Sequence, residues 1–65
     1  MEKEWVKIFE TPEELQIEFA RQALDVMEIN SVIFNKKDRA YSFGQFELYV
    51  HSDNVIRAKQ ILKDF

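Results

Sequence analysis

The chain has no cysteine, one histidine, one proline and one glycine among its 65 residues. Without cysteine there is no disulfide to staple a small fold, and with His51 as the only histidine there is no zinc site of the usual Cys/His kind. No metal and no cofactor is expected. A single glycine, Gly44, cannot build the phosphate-cradling loops of nucleotide-binding motifs, nor the elbow that carries a nucleophilic serine. No apolar run approaches the roughly 20 residues of a membrane span. The first ten residues, MEKEWVKIFE, lack the apolar core of a signal peptide. The absent cysteines suit a reducing compartment, so the expected location is the cytoplasm. Basic charge is also short. The net charge is -3, which opposes the general phosphate-backbone contacts of a nucleic-acid binder.

What is present reads as one domain, residues 1–65. A chain of this size buries only about 60% of the surface that its unfolded form exposes, so self-association is a natural supplement to its stability. Glu4 to Phe9 alternate and are rich in aromatic and β-branched residues, which predicts a strand. Thr11, Pro12 and Glu14 form a helix-start pattern, with Thr11 as cap, Pro12 in the first helical position and Glu14 closing a capping box. The helix runs to about Glu28. Its polar arc holds Glu14, Glu18, Arg21, Gln22, Asp25 and Glu28. Its apolar arc has two flanks: Ile17, Ala20, Leu24 and Met27, then Leu15, Phe19, Ala23 and Val26. Together they span about 200°, twice the stripe that packing on one sheet requires. The second flank therefore either packs on a neighbouring helix or meets another chain.

Ile29 to Lys37 read as a second strand, with Asp38 and Arg39 at a turn and the run from Ala40 to His51 returning as a third. Gly44 within that run suggests a bulge or a close backbone approach. Ser52 and Asp53 open a closing helix, whose apolar face holds Val55, Ala58, Ile61, Leu62 and Phe65 and leaves Ile56 outside. The order βαββα predicts an α+β fold of the ferredoxin-like, split βαβ type: a three-stranded antiparallel sheet in the order 2-3-1 with two helices on one face. Val6, Ile8, Val32, Phe34, Phe46, Leu48 and Val50 are expected beneath the helices. Trp5, Lys7, Phe9, Ile33, Glu47, Tyr49 and His51 are expected on the open face, where Trp5, Lys7, Phe9, Ile33 and Tyr49 form the candidate interface. The first strand is an unpaired edge.

Two further candidates concern charge. Lys36, Lys37 and Arg39 with the phenol of Tyr41 would make a small anion site, and Asp38 among them partly cancels the charge; the alternative is a plain polar hairpin tip. His51 reads as a surface histidine at a strand end or as a pH-sensitive contact. No nucleophile pattern surrounds it, and no carboxylate pair lies in an evidently apolar pocket, so no catalytic residue is expected.

The segments WVKIFET, ALDVMEINSVIFNKKDRAY, FGQFELYV and RAKQIL together resemble a small bacterial family of putative prokaryotic signal-transducing proteins, over essentially the whole chain. NKKD followed by ELYV is the most specific part and resembles the Bacteroidetes-type members. By shape that family is grouped with ferredoxin-like, PII-type signalling proteins, which implies regulation by binding rather than catalysis. PII-type nucleotide sites use long loops and subunit clefts that so short a chain does not reproduce. The family often has glycine before the isoleucine of the second strand. Here Glu28 stands there, and an ordinary right-handed or bridge geometry is expected at the helix exit. The resulting expectation is a small non-enzymatic module with a signal-transducing or regulatory role, forming a homodimer or binding a protein partner or a small anionic ligand. The runner-up is a structural adaptor that binds protein through the open sheet face and the edge strand.

Overall fold

The computed structural model describes residues 4–37 and 44–65, with the backbone alone for residues 36, 37 and 44. Strand β1 spans Trp5–Thr11, helix α1 Glu14–Val26, strand β2 Ser31–Lys37 and strand β3 Gly44–His51. A 3₁₀ turn over Ser52–Asn54 then leads into helix α2, Val55–Ile61. β3 is central and antiparallel to both neighbours, in the order β1-β3-β2. This is the expected 2-3-1 sheet viewed from its other edge, in an α+β fold.

Leu48 and Val50 of β3 are fully buried, together with Ile17, Ala20 and Leu24 of α1 and Ala58 of α2, and Leu62 beyond α2 is nearly so. Residues two apart in a strand share a face. Both helices therefore lie on the face that carries Leu48 and Val50, and the core fills the space between the layers. Ile56 is exposed, as its position on α2 predicts.

The register corrects the predicted faces at two strands. Directly opposed residues share a face. Ile33 pairs with Leu48 and packs against the core, whereas Val32 pairs with Tyr49 and Phe34 with Glu47. β2 is thus inverted relative to expectation: Ile33 faces the helices, and Val32 and Phe34 face outward, about half exposed. In β1 the pairing slips between Lys7 and Phe9, leaving Ile8 as the extra residue of a bulge. The slip returns Phe9 to the helix side, opposite Leu48, where its ring meets Phe65 edge-on at 6.2 Å. The bulge sits at Ile8. Gly44 pairs with Lys37 at the end of a ladder that is unbroken among the described residues, so of the two readings of Gly44 the bulge is not seen there.

The helix ends differ from expectation as well. Thr11 closes β1 instead of capping α1 directly. Its hydroxyl accepts the Glu13 N–H at 3.2 Å and donates to Gln16 Oε1 at 3.0 Å, while Glu13 is the N-cap of α1 without a side-chain cap bond, so the expected capping box through Glu14 does not form. Ser52 does not cap α2. The His51 ring accepts the Asp53 N–H and caps the 3₁₀ turn, and Asn54 precedes α2 without a side-chain cap. At the end of α1, Glu28 takes the left-handed conformation, φ 63°. The Ile29 N–H donates to the Leu24 carbonyl and the Glu28 N–H to that of Asp25, both at 2.9 Å. These are the two bonds of a Schellman cap, closed by buried Leu24 and Ile29. The expected right-handed exit is overturned because those bonds and that contact require the turn. Of the second apolar flank, Leu15, Phe19 and Val26 are exposed and Ala23 packs toward the core.

Two substitutions check this description. Leu48→Ala, at the centre of the core, should cost about 2–5 kcal/mol, most of the roughly 3–10 kcal/mol expected of a chain this short. A chemical-denaturation loss below about 1 kcal/mol would contradict the facing of β3. Glu28→Gly should raise stability by about 0.5–1 kcal/mol, because glycine enters the left-handed region without the side-chain clash that opposes it in other residues. A lower denaturation midpoint would contradict the cap.

Candidate functional site

The face of the sheet without helices is the candidate site, and the registers order it into rows. Trp5 stands opposite His51. Lys7, Tyr49 and Val32 form the next row, and Glu10, Glu47 and Phe34 the one after. The bulge at Ile8 makes this arrangement, since it places Lys7 and Glu10, three apart in sequence, on one face. Of the five interface residues predicted from sequence, Trp5, Lys7 and Tyr49 lie here. Phe9 and Ile33 face the core. Glu10, Val32 and Phe34, which were not among the five, join the face.

At its centre the site is polar and tightly bonded. Glu47 is buried although it faces away from the helices, with 5% of its surface exposed. Its Oε1 accepts the Tyr49 hydroxyl at 2.9 Å, and Lys7 Nζ lies 3.4 Å from its Oε2. Lys7 makes a closer bond to Glu10, Nζ to Oε1 at 2.6 Å. Burying a carboxylate is costly unless it is paired and hydrogen-bonded, and Lys7 and Tyr49 supply both. The hydrogen bond to Glu10 chiefly raises the Lys7 pKa, opposed in part by desolvation and helped by the charge of Glu10 and the bond to Glu47. The bond to Glu47 raises the Tyr49 pKa, because ionisation removes the donor and sets a second anion beside the first. Lys7 is therefore held as a cation and Tyr49 as a neutral donor at neutral pH. Neither is prepared to act as a base.

The rim differs from side to side. Along β2, Val32 and Phe34 offer apolar surface. At the β1 end, Trp5 stacks edge-on against His51, with ring centroids 6.0 Å apart. His51 Nδ1 accepts the Asp53 N–H at 3.2 Å, and Nε2 lies 4.0 Å from Glu4 Oε1. His51 is a capping and stacking residue in this setting. At the bulge a shallow depression of about 390 Å³ is lined by Lys7, Ile8, Phe9, Glu10 and, from α2, Lys59. Among the described residues no group of three or more His, Asp or Glu side chains is arranged to hold a metal ion.

Lys36 and Lys37, half of the predicted anion site, end β2 and pair through the backbone with Gln45 and Gly44. The other half, Arg39 and Tyr41, lies outside the described residues, as does the turn at Asp38.

A model of the family described as putative prokaryotic signal transducing protein matches residues 5–65. The chain belongs to that family. The match begins at Trp5, the first residue of β1, and takes in every strand and helix described above. Neither the curated proteins nor the solved structures searched contain a match. Among the described residues no helix is long and apolar enough to cross a membrane.

The network carries a pH prediction. Lys7 and Tyr49 both have folded pKa values raised above their unfolded values. Each contributes stability that is fully present below the unfolded value, about 10 for either group, and is lost as pH rises through the folded one. Unfolding midpoints should therefore hold near neutrality and fall in alkali beyond about pH 10. Tyr49→Phe should flatten that fall, and an unchanged alkaline slope would show that the bond to Glu47 contributes nothing.

Proposed function

We propose that this protein is a small cytoplasmic, non-enzymatic binding module with a signal-transducing or regulatory role, which takes its ligand or partner on the open face of the sheet. The observation that carries this reading is the composition of that face. Trp5, Val32 and Phe34, each about half exposed, stand around a Lys7–Glu10–Glu47–Tyr49 network whose members already satisfy one another. Exposed apolar surface beside fixed polar groups suits recognition. A titrating base or an activated nucleophile is what catalysis would need, and the network supplies neither. Membership of a family described as signal transducing supports the regulatory role, and the lack of cysteine supports the compartment. The acidic balance of the chain favours a protein or small-molecule ligand over nucleic acid. The alternative, a structural assembly adaptor, draws its support from the free outer edge of β2.

A thermal-shift screen against nucleotides and acidic metabolites tests the small-ligand form. A ligand at a hundred times its Kd stabilises the fold by about 2.7 kcal/mol. In a domain of this size each kcal/mol moves the melting temperature by about 4–8 °C. Trp5 is the sole tryptophan and lies on the open face, so its fluorescence should respond as well. The pair Lys36→Ala and Lys37→Ala should leave the melting temperature of the free protein nearly unchanged and abolish the response to an anionic ligand. A response that survives the double change would remove these lysines from the site. A protein partner captured with no small ligand would favour the adaptor.

A further inference from the structure

Among the described residues the sheet has two free edges, and they are built differently. The β1 edge carries the bulge at Ile8, which breaks the even spacing of outward N–H and C=O groups. Lys7, Glu10 and Lys59 surround it. Bulges and edge lysines are the usual means of blocking strand addition. β2 has neither. It pairs with β3 residue for residue from Ser31 to Lys37 without a slip, contains no proline or glycine, and has no charged residue before Lys36. Among the described residues no other strand pairs with it. Val32 is 49% exposed and Phe34 53%. A regular edge that is uncharged and largely apolar from Ser31 to Asn35 is a template for another strand.

We propose that the strand it accepts is β2 of a second copy, paired antiparallel about a two-fold axis at Ile33. Charge along the strand selects this partner and this direction. Exposed Asp25 and Glu28 precede β2, and Lys36 and Lys37 end it. An antiparallel copy sets the basic end of each strand beside the acidic approach of the other, whereas a parallel copy sets like against like. With Ile33 opposite its own counterpart, Val32 opposes Phe34 of the partner subunit, and Phe34 opposes Val32 of the partner subunit. Both pairs are cross-strand contacts of aromatic and β-branched side chains on the open face. Continuing the same register brings Lys36 opposite Asn30 of the partner subunit and Lys37 next to the turn at Glu28 of the partner subunit. The product is a six-stranded sheet with one continuous open face and the two guarded β1 edges at its ends. One strand per copy is less surface than a standard interface buries, so the dimer is concentration-dependent. It stands apart from the ligand reading above, since pairing along β2 neither requires nor excludes a ligand.

Light scattering and amide hydrogen exchange on the unmodified chain, from micromolar to millimolar concentration, test the pairing. The mass should rise toward twice that of the monomer. Alternate amides of β2, those pointing away from β3, should gain protection over the same range, while the amides of β1 do not change. Phe34→Lys, a guard placed on an exposed position, should keep the monomer's circular dichroism and weaken association at least tenfold, whereas Trp5→Glu at the opposite end of the sheet should leave it intact. A monomer mass that stays constant to millimolar, protection that appears on β1 instead, or a dimer that survives Phe34→Lys would each overturn the proposal. The exchange pattern needs no variant, so it decides the matter even where Phe34→Lys fails to fold.

Discussion

Leu48 and Val50 bind the architecture together. They are fully buried in the central strand, and α1, α2 and both outer strands are placed by reference to them. Burying a side chain of this kind contributes about 1.5–3 kcal/mol relative to leaving it in water. In a chain without disulfides that is a large share of the available stability. With helices on one face only, the alternation of a strand has a fixed consequence. If residues 48 and 50 face the core, then Glu47, Tyr49 and His51 must face away from it. The open face is therefore the reverse side of the core, and the same register that closes the core displays the site.

Two backbone irregularities set the phase of the outer strands. The Schellman cap of α1 turns through Glu28 and drops Ile29 onto Leu24. From a buried Ile29, strand parity carries Ile33 inward and Val32 and Phe34 outward. In β1 the bulge lets the neighbours Ile8 and Phe9 both pack against the core, and it allows Lys7 and Glu10 to stand together over Glu47. A buried carboxylate on an uncovered sheet face is stable only with such neighbours. The bulge thus supplies the cation that keeps Glu47 paired, and it also spoils the β1 edge as a template for pairing. The asymmetry between the two edges follows from this one extra residue.

The open face combines a polar network with hydrophobic residues at its margins. Lys7 and Tyr49 keep their protons at neutral pH, since bonds to Glu10 and Glu47 raise pKa values that already lie in alkali, and the two hold a constant charge there. Constancy of that kind suits recognition, where a fixed surface lowers the cost of ordering on binding. The exposed second flank of α1, Leu15, Phe19 and Val26, is a separate apolar surface on the helix layer. Nothing in the described chain covers it.

Much of the fold was legible in the sequence because the signals were local. Periodicity marked the two helices, alternation marked β3, and the order of elements with right-handed crossover left few topologies. That β3 faces the helices through Leu48 and Val50 was likewise readable, since its apolar and polar residues alternate without conflict. β2 was misread for a physical reason. Val32 with Phe34 is a more apolar pair than Ile33 with its polar neighbours, so local alternation favoured the wrong face. The phase came from the helix cap and the pairing of Ile33 with Leu48. The bulge in β1 had no local mark either, because Ile8 and Phe9 both suit a core. It moved Phe9 from the expected interface and brought Glu10 into the site. The sequence by itself determined the elements, their order and the one strand whose alternation is unambiguous. The tertiary structure decided the facing of the other two, because a strand with apolar residues in both phases takes its register from what it pairs with.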